Sequence, residues 1–314
     1  MRRPPAARGG LPLPYEARSK RIRGNQRSPR APRSRGPESS GPPDFARMYG
    51  RVDGICLSVY TERKRRGIFM QPILSVETMR ASDAWTIANR VPGLTLMARA
   101  ARGIFRAADW PAGTAIVIGP GNNGGDGAAL ACLLARAGIP CTIYRLSDKA
   151  SPDNAHYLAR AETLGVPILP FAGREAELAA APAVADCVLG TGFSGPLRGA
   201  ARQAVEWINR AGENGAFVVS ADINSGLNGD TGAADLAVVS DLTVSIGFYK
   251  TGLFRGDASR YIRRLVNVDI GITQQGPAAA FLAPPGAQPG PGQIACPSGC
   301  RWDSLPAADD PDDI

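Results

Sequence analysis

Between Thr114 and Ile270, short apolar runs alternate with segments patterned for helices, and that alternation admits few architectures. The run 114–118 is continuously apolar rather than alternating, the mark of a strand buried on both faces. The pattern predicts strands over 114–118, 141–146, 166–171, 185–189, 216–221, 241–246 and 265–270. Helices are predicted near 127–137, 152–164, 173–181 and 200–211. Two further helices, 75–89 and 95–108, come first, and Val76, Met79, Ala84 and Ile87 form the apolar stripe of the former. Parallel strands need crossovers, and right-handed crossovers place helices on both faces of the sheet. The expected fold is therefore a three-layer α/β/α Rossmann-like domain with a mostly parallel central sheet and two N-terminal helices. Ligands of such sheets sit beyond the carboxyl ends of the strands.

Charge separates this domain from its flanks. Residues 1–69 hold 17 Lys and Arg against 5 Asp and Glu, while the whole chain carries a net +8, so the remainder is net negative. This Arg- and Pro-rich stretch is read as a disordered tail or an upstream extension from a wrongly chosen start codon, with Met70 as the plausible true start; electrostatic binding of nucleic acid is the alternative. A transit peptide would also be Arg-rich and would direct the protein to mitochondria, but Pro4, Pro5, Pro12, Pro14 and Pro29 oppose the amphipathic helix it needs. A cytoplasmic location is the expectation otherwise. Residues 276–314, rich in Pro, Gly and Ala, are read as a second disordered tail, which leaves 70–275 as the domain. No run of about 18 apolar residues exists to span a membrane. The six cysteines are scattered, as in a chain from a reducing compartment, and Cys296 and Cys300 lack a second pair to complete a zinc site. One histidine, His156, is too few for multi-histidine zinc chemistry or most His-based triads.

Three glycine-rich or acidic loops follow predicted strands. The first, Gly119 to Gly127, satisfies G-x-G-x-x-G through Gly119, Gly121 and Gly124, in the strand-to-helix context where backbone N–H groups can cradle an anion. It also packs Asn122, Asn123 and Asp126 into the same loop, which a dinucleotide fingerprint rarely needs. Turn geometry for the asparagines and first-turn charge stabilisation for Asp126 are the plainer readings. The second loop runs from Asp186 through Gly190, Thr191, Gly192, Phe193, Ser194 and Gly195 to Pro196. Asp186 lies in an apolar run and so requires a partner or a cation. The third places Asp222 and Ser225 at another strand end, where local capping is the ordinary role of such residues. Oxygen ligands from Asn123, Asp186 and Ser225 could converge on a hard cation.

The motifs GPGNNGGDG, DCVLGTGFSGPLRG, SADINSGLNGDTG and DLTVSIGFYKTGL, in that order, resemble the YjeF N-terminal domain family, the NAD(P)HX epimerases. The resemblance covers about Met70 to Ile272. It implies an isomerase that interconverts the S and R hydrates of NADH and NADPH, which are substrates rather than cofactors, together with one potassium ion per subunit. Carried over, Asn122, Asn123, Gly124, Gly125 and Asp126, and Gly190 to Pro196, would contact the dinucleotide. Asn123, Asp186 and Ser225 would bind potassium. Asp222 is the favoured acid/base, with Asp126 competing, because epimerisation by loss and return of the hydroxyl needs a group that gives and takes a proton. Lys250 is a further substrate contact, its alternative being a solvated surface lysine. The family's frequent dimers imply a homodimer. Many bacterial members continue into a kinase-like dehydratase domain, for which nothing after Ile272 could serve, so the chain is read either as a stand-alone epimerase, with a separate dehydratase in the same pathway, or as truncated or frame-shifted.

Two departures mark the chain. Asn224 stands where the family usually has proline, which would loosen a turn, and the segment 96–101 replaces an LMENAG-like segment, placing Ala98 and Arg99 where an acid and an amide are usual. Two rival readings remain: an NAD-dependent oxidoreductase, for which Asp148 is the available ribose-binding acid, and a non-catalytic dinucleotide- or RNA-binding scaffold of the same fold.

Overall fold

The structure, a computed structural model, describes residues 71–284 and 287–295. The basic N-terminal stretch, Met70 and the Cys296–Cys300 pair lie outside the described residues. In chain order the elements are β1 (Gln71–Leu74), α1 (Val76–Asn89), α2 (Gly93–Ala107), β2 (Thr114–Ile118), α3 (Asn122–Arg136), β3 (Cys141–Arg145) and α4 (Pro152–Thr163). There follow β4 (Ile168–Pro170), α5 (Glu175–Ala179), β5 (Ala183–Cys187), α6 (Gly199–Glu213), β6 (Phe217–Ala221), β7 (Leu242–Ile246) and β8 (Tyr249–Lys250). A 3-10 turn (Thr251–Phe254), α7 (Ala258–Tyr261), β9 (Leu265–Val268), β10 (Ala280–Leu282) and β11 (Gln293–Ile294) complete the order.

Seven strands form one sheet in the order β4-β3-β2-β5-β6-β7-β9, every pairing parallel. Successive residues of a strand face opposite sides, and the two sides here bury different helices. Ile116, Ile118, Ile143, Ala185 and Cys187 share a core with Ile104, Leu130, Leu134 and Tyr157 of α2, α3 and α4. Ala115, Val117, Tyr144 and Val184 share another with Leu178 of α5 and Ala204, Val205 and Ile208 of α6. These are the three expected layers. Strand order reverses between β2 and β5, so the loops leaving their carboxyl ends diverge to opposite faces and open a crevice.

The predicted start of α3 is wrong by more than a turn. Asn122 to Gly127 are helical rather than loop, and neither asparagine takes the left-handed conformation that a turn would ask of it. Close packing explains the glycines instead. A Cβ on Gly119 would stand 2.0 Å from the Val188 carbonyl oxygen, and one on Gly127 would stand 2.8 Å from Cys187 Cβ. Glycine there brings the helix and its entry loop hard against the end of β5.

Helix α1 departs from the stripe expected of it. Met79 is buried, but Ala84 and Ile87 are exposed, and the other buried positions are the polar Ser82 and Thr86. Their hydroxyls accept from the N–H groups of Gln275 (2.8 Å) and Thr273 (2.9 Å), so α1 is fastened to the strand-like stretch after β9 by hydrogen bonds rather than by apolar contact.

Order also runs past the boundary expected at residue 275. β10 pairs antiparallel with β1, Gln71 opposite Leu282 and Ile73 opposite Ala280, while β1 pairs in parallel with β8. With β11 these make a second, four-stranded sheet. Strands of two to four residues set among Pro and Gly leave little hydrophobic pattern to read, yet β10 satisfies the backbone groups that β1 would otherwise expose. Leu74 pairs with Lys250, so this small sheet carries the backbone of a candidate site residue. Leu282 is fully buried in it. Replacing Leu282 by Ala should cost about 2–5 kcal/mol in urea unfolding. Unchanged stability would show that β10 is not part of the folded unit.

Candidate active site

The carboxyl ends of β2, β5, β6 and β7 open into a cleft of about 730 Å³. Its floor and sides include Asn122, Asn123 and Asp126 of α3, Gly190 to Ser194 after β5, Asp222 after β6, and Lys250. The predicted residues Gly124, Gly125, Gly195 and Pro196 do not line it, and Asp186 and Ser225 lie beneath it.

Asp222 is the one non-glycine residue with positive φ (66°) among those described. Such a conformation costs of order 1–3 kcal/mol and persists where neighbours over-determine it. Its N–H donates to the Val244 carbonyl (2.8 Å), and its carboxylate accepts from the Thr191 N–H (3.4 Å) and from Lys250 Nζ. Lys250 is fully buried, which overturns the surface reading of this residue. Its ammonium also donates to the Ile246 carbonyl (2.8 Å) and Ser245 Oγ (3.4 Å), so all three protons are placed.

Three further carboxyls share the cleft, Asp83, Asp126 and Asp153, and two of them are shifted. Burial, then the negative charges of Asp222 and Asp83, push Asp126 well above the ordinary carboxylate range. Asp83, from α1, is raised for the same two reasons, burial first and Asp222 second. Asp126 is therefore protonated under conditions in which an ordinary aspartate is not. The arrangement sets a carboxylate held by an ammonium in the same cleft as a carboxyl that keeps its proton to higher pH than usual, which can hand a proton on and receive one.

The turn after β6 is held firmly. Asn224 is fully buried and donates to the carbonyls of Val238 (2.8 Å) and Tyr261 (3.1 Å) and to Ser240 Oγ (3.0 Å), while accepting from Thr243 Oγ1 (2.6 Å). The turn is thus clamped rather than loosened by this residue. In α2, Leu96, Met97 and Ala100 line the cleft. Ala98 lies in the core and Arg99 donates to the Ile270 carbonyl (3.1 Å), so the two unusual positions of this segment turn away from the cleft.

Beneath the cleft, Asp186 is fully buried and accepts four hydrogen bonds, all from neutral donors: Ser225 Oγ (2.5 Å), Ser225 N–H (2.9 Å), Ser220 Oγ (2.8 Å) and Val188 N–H (3.3 Å). Burial raises its carboxyl and these bonds oppose that. No ion pair reaches it among the described residues. Asn123 is buried with both side-chain amide atoms unpartnered, and its Cβ stands 3.4 Å from where a Cβ on Gly190 would be. A buried charge without a counter-charge and an amide without a partner, both adjoining residues 189–190, are oxygen donors that fit a monovalent cation.

Sequence reasoning missed Arg80, Asp83 and Asp153, which also line the cleft. Arg80 and Asp83 lie three residues apart on α1, which puts them on one helical face, but nothing in the sequence marks that helix as part of the site. Asp148, the acid on which an oxidoreductase reading relied, is exposed and pairs with Arg145 (3.4 Å). His156 is exposed on α4, and the thiols of Cys132 and Cys141 are buried, which raises them to about 11 and about 12. No helix among the described residues is long and apolar enough to cross a membrane.

Comparison with known proteins agrees with this architecture. The family model described as YjeF-related protein N-terminus matches residues 93–252. The chain is 36% identical over 202 residues to a Limosilactobacillus fermentum protein named NAD(P)H-hydrate epimerase, covering 62% of this chain and 95% of that protein. It is 31% identical over 210 residues to the bifunctional NAD(P)H-hydrate repair enzyme Nnr of Coxiella burnetii, covering 65% of this chain but 42% of that longer protein. In three dimensions it superposes on the crystal structure of yeast ynu0 with a TM-score of 0.53 at 20% identity, over 61% of this chain and 84% of that one, a likeness of fold. A family match across half the sequence, with nearly the whole length of an epimerase relative covered, places the chain in the YjeF-related protein N-terminus family.

Proposed function

We propose that this protein is an NAD(P)H-hydrate epimerase, an isomerase of metabolite repair that interconverts the S and R hydrates of NADH and NADPH. The observation that carries the reading is the strained Asp222 held by a buried Lys250, in one cleft with Asp126, whose carboxyl is raised by burial, at the carboxyl edge of the sheet. The relatives' names supply the substrate class.

The reacting carbon bears a hydroxyl and the ring nitrogen. When its C–O bond breaks, the bonding pair leaves with the hydroxyl oxygen, which takes the proton of Asp126 and departs as water. The nitrogen lone pair forms the C=N bond of a cationic ring, which the Asp222 carboxylate faces. Water then adds to the opposite face, its lone pair forming the new C–O bond as the C=N pair returns to the nitrogen, and its proton passes to Asp222. Return of that proton to Asp126 through solvent closes the cycle. Lys250 holds Asp222 in place through their ion pair.

Asn123, Asp186 and Ser225 are the residues that would hold a potassium ion. Bound there, it would supply a fixed positive charge under the first glycine-rich loop, balancing Asp186.

Purified S-NADHX should reach its equilibrium with the R epimer far faster with the protein than in buffer, and Asp222→Asn should slow this by about 100-fold or more. Equilibration by the parent no faster than in buffer would end the epimerase reading. A second expectation follows from Asp126. Its folded form holds a proton more tightly than the unfolded chain does, so stability is lost as pH rises from the ordinary carboxylate range through its raised pKa. Asp126→Asn should therefore raise the thermal midpoint at about pH 8 relative to the parent far more than at about pH 2.5, below the ordinary carboxylate range, where the parent carboxyl is neutral in both states. A difference independent of pH would contradict the assignment of a neutral carboxyl. Lastly, replacing choline chloride by potassium chloride at equal ionic strength should raise the thermal midpoint of the parent and not of Asn123→Ala. An equal response to both salts would rule out the ion site.

A further inference from the structure

Helix α1 lies along the cleft as a fixed wall. Its first N–H, that of Val76, donates to Asp230 (2.8 Å), and the hydroxyls of Ser82 and Thr86 tie its middle and end to residues 273–275. Arg80 and Asp83 line the cleft from this wall. Counting charges around the lining gives four carboxyls, Asp83, Asp126, Asp153 and Asp222, against two cations, Arg80 and Lys250. Lys250 is buried and held by Asp222, so it has no face to offer a ligand.

Arg80 is placed differently. It is exposed, makes no ion pair among the described residues, and its Nη2 stands 3.1 Å from where a Cβ on Gly192 would be. Its guanidinium thus lies over the bare backbone of the loop after β5, where a side chain at residue 192 would crowd it. A dinucleotide brings a diphosphate dianion into this mostly acidic cleft, and an anion there requires a cation or a set of N–H donors. Guanidinium groups meet phosphate oxygens with two parallel N–H bonds, and a glycine backbone permits the close approach.

We propose that Arg80 binds the diphosphate of the hydrated dinucleotide against Gly190 to Gly192, and so sets the affinity of the site without taking part in the proton transfers. The proposal rests on the epimerase reading for its substrate and on the cleft geometry for its residue.

Two measurements on the full-length protein test it. Calorimetric titration with ADP-ribose, which carries the diphosphate but no nicotinamide, should show binding weakened about tenfold or more by Arg80→Gln and partly restored by Arg80→Lys. Initial rates should show KM raised by a similar factor for NADHX and NADPHX alike, with kcat within about twofold of the parent. Affinity and KM within about twofold of the parent in Arg80→Gln would overturn the proposal. So would a KM effect confined to NADPHX, which would assign Arg80 to the 2′-phosphate, or a fall in kcat at constant KM, which would place it in the chemistry. A protein that binds ADP-ribose through Arg80 but leaves the epimers as they were would retain this assignment while refuting the epimerase reading.

Discussion

A buried ammonium has to be paired, and the contact between Lys250 and Asp222 is the constraint around which the cleft is arranged. Removing either partner of such a pair leaves an uncompensated charge, at a cost of about 3–5 kcal/mol. The pair therefore dictates where β8 and the end of β6 must meet. It also accounts for the backbone of Asp222: the residue turns into the left-handed region after β6, with its N–H on the Val244 carbonyl and its carboxylate on Lys250 and Thr191. Strain at this one position is tolerated because three elements hold it.

The turn that follows is stabilised by a different device from the proline usual in the family. Proline would restrict the backbone directly through its fixed φ. Asn224 restricts it through four hydrogen bonds to residues 238–243 and to Tyr261, all inside the protein. Each such bond adds about 1 kcal/mol, and leaving any of its partners unsatisfied would cost more than the bond contributes. The acidic turn is thereby tied to the start of β7 and to α7, and its rigidity depends on the packing of both.

How much of this was legible follows from what kind of force places each part. The central strands announce themselves because burial on both faces demands continuous apolar runs, and the loops beyond Ile118, Cys187 and Ala221 could be assigned to one edge of the sheet from topology alone. Boundaries set by close backbone approach were not legible. The sequence from Asn122 to Gly127 has poor intrinsic helix propensity and reads as a loop, yet contact with β5 makes it helical. Helix α1 was found but its role was hidden, since the positions that fix it, Ser82 and Thr86, are polar residues whose partners lie nearly two hundred residues away. β10 was missed for a related reason: a three-residue strand is specified by the edge it completes, not by its own pattern. Asp222 and Lys250 could each be singled out, but their union is a tertiary fact, and so is the burial that turns a lysine with an ordinary sequence context into a structural cation.

The distribution of charge across the cleft has a consequence for how a dinucleotide hydrate would lie in it. Carboxyls gather around the end of β6 and the first turns of α3, where burial and then the charge of Asp222 raise both Asp126 and Asp83. The exposed cation, Arg80, sits over the glycine loop instead. A ligand with an anionic diphosphate at its middle and a ring that becomes cationic during reaction is repelled or attracted in opposite senses by these two regions. Reversing the ligand would set its diphosphate beside Asp222 and Asp83 and away from Arg80, so one orientation is favoured before any base-specific contact is made. The acidic cluster is costly to the folded protein, since like charges and burial both oppose ionisation there. That cost is what makes the site selective for positive charge developing on the ring, because a cation formed beside it relieves repulsion that the empty cleft must bear.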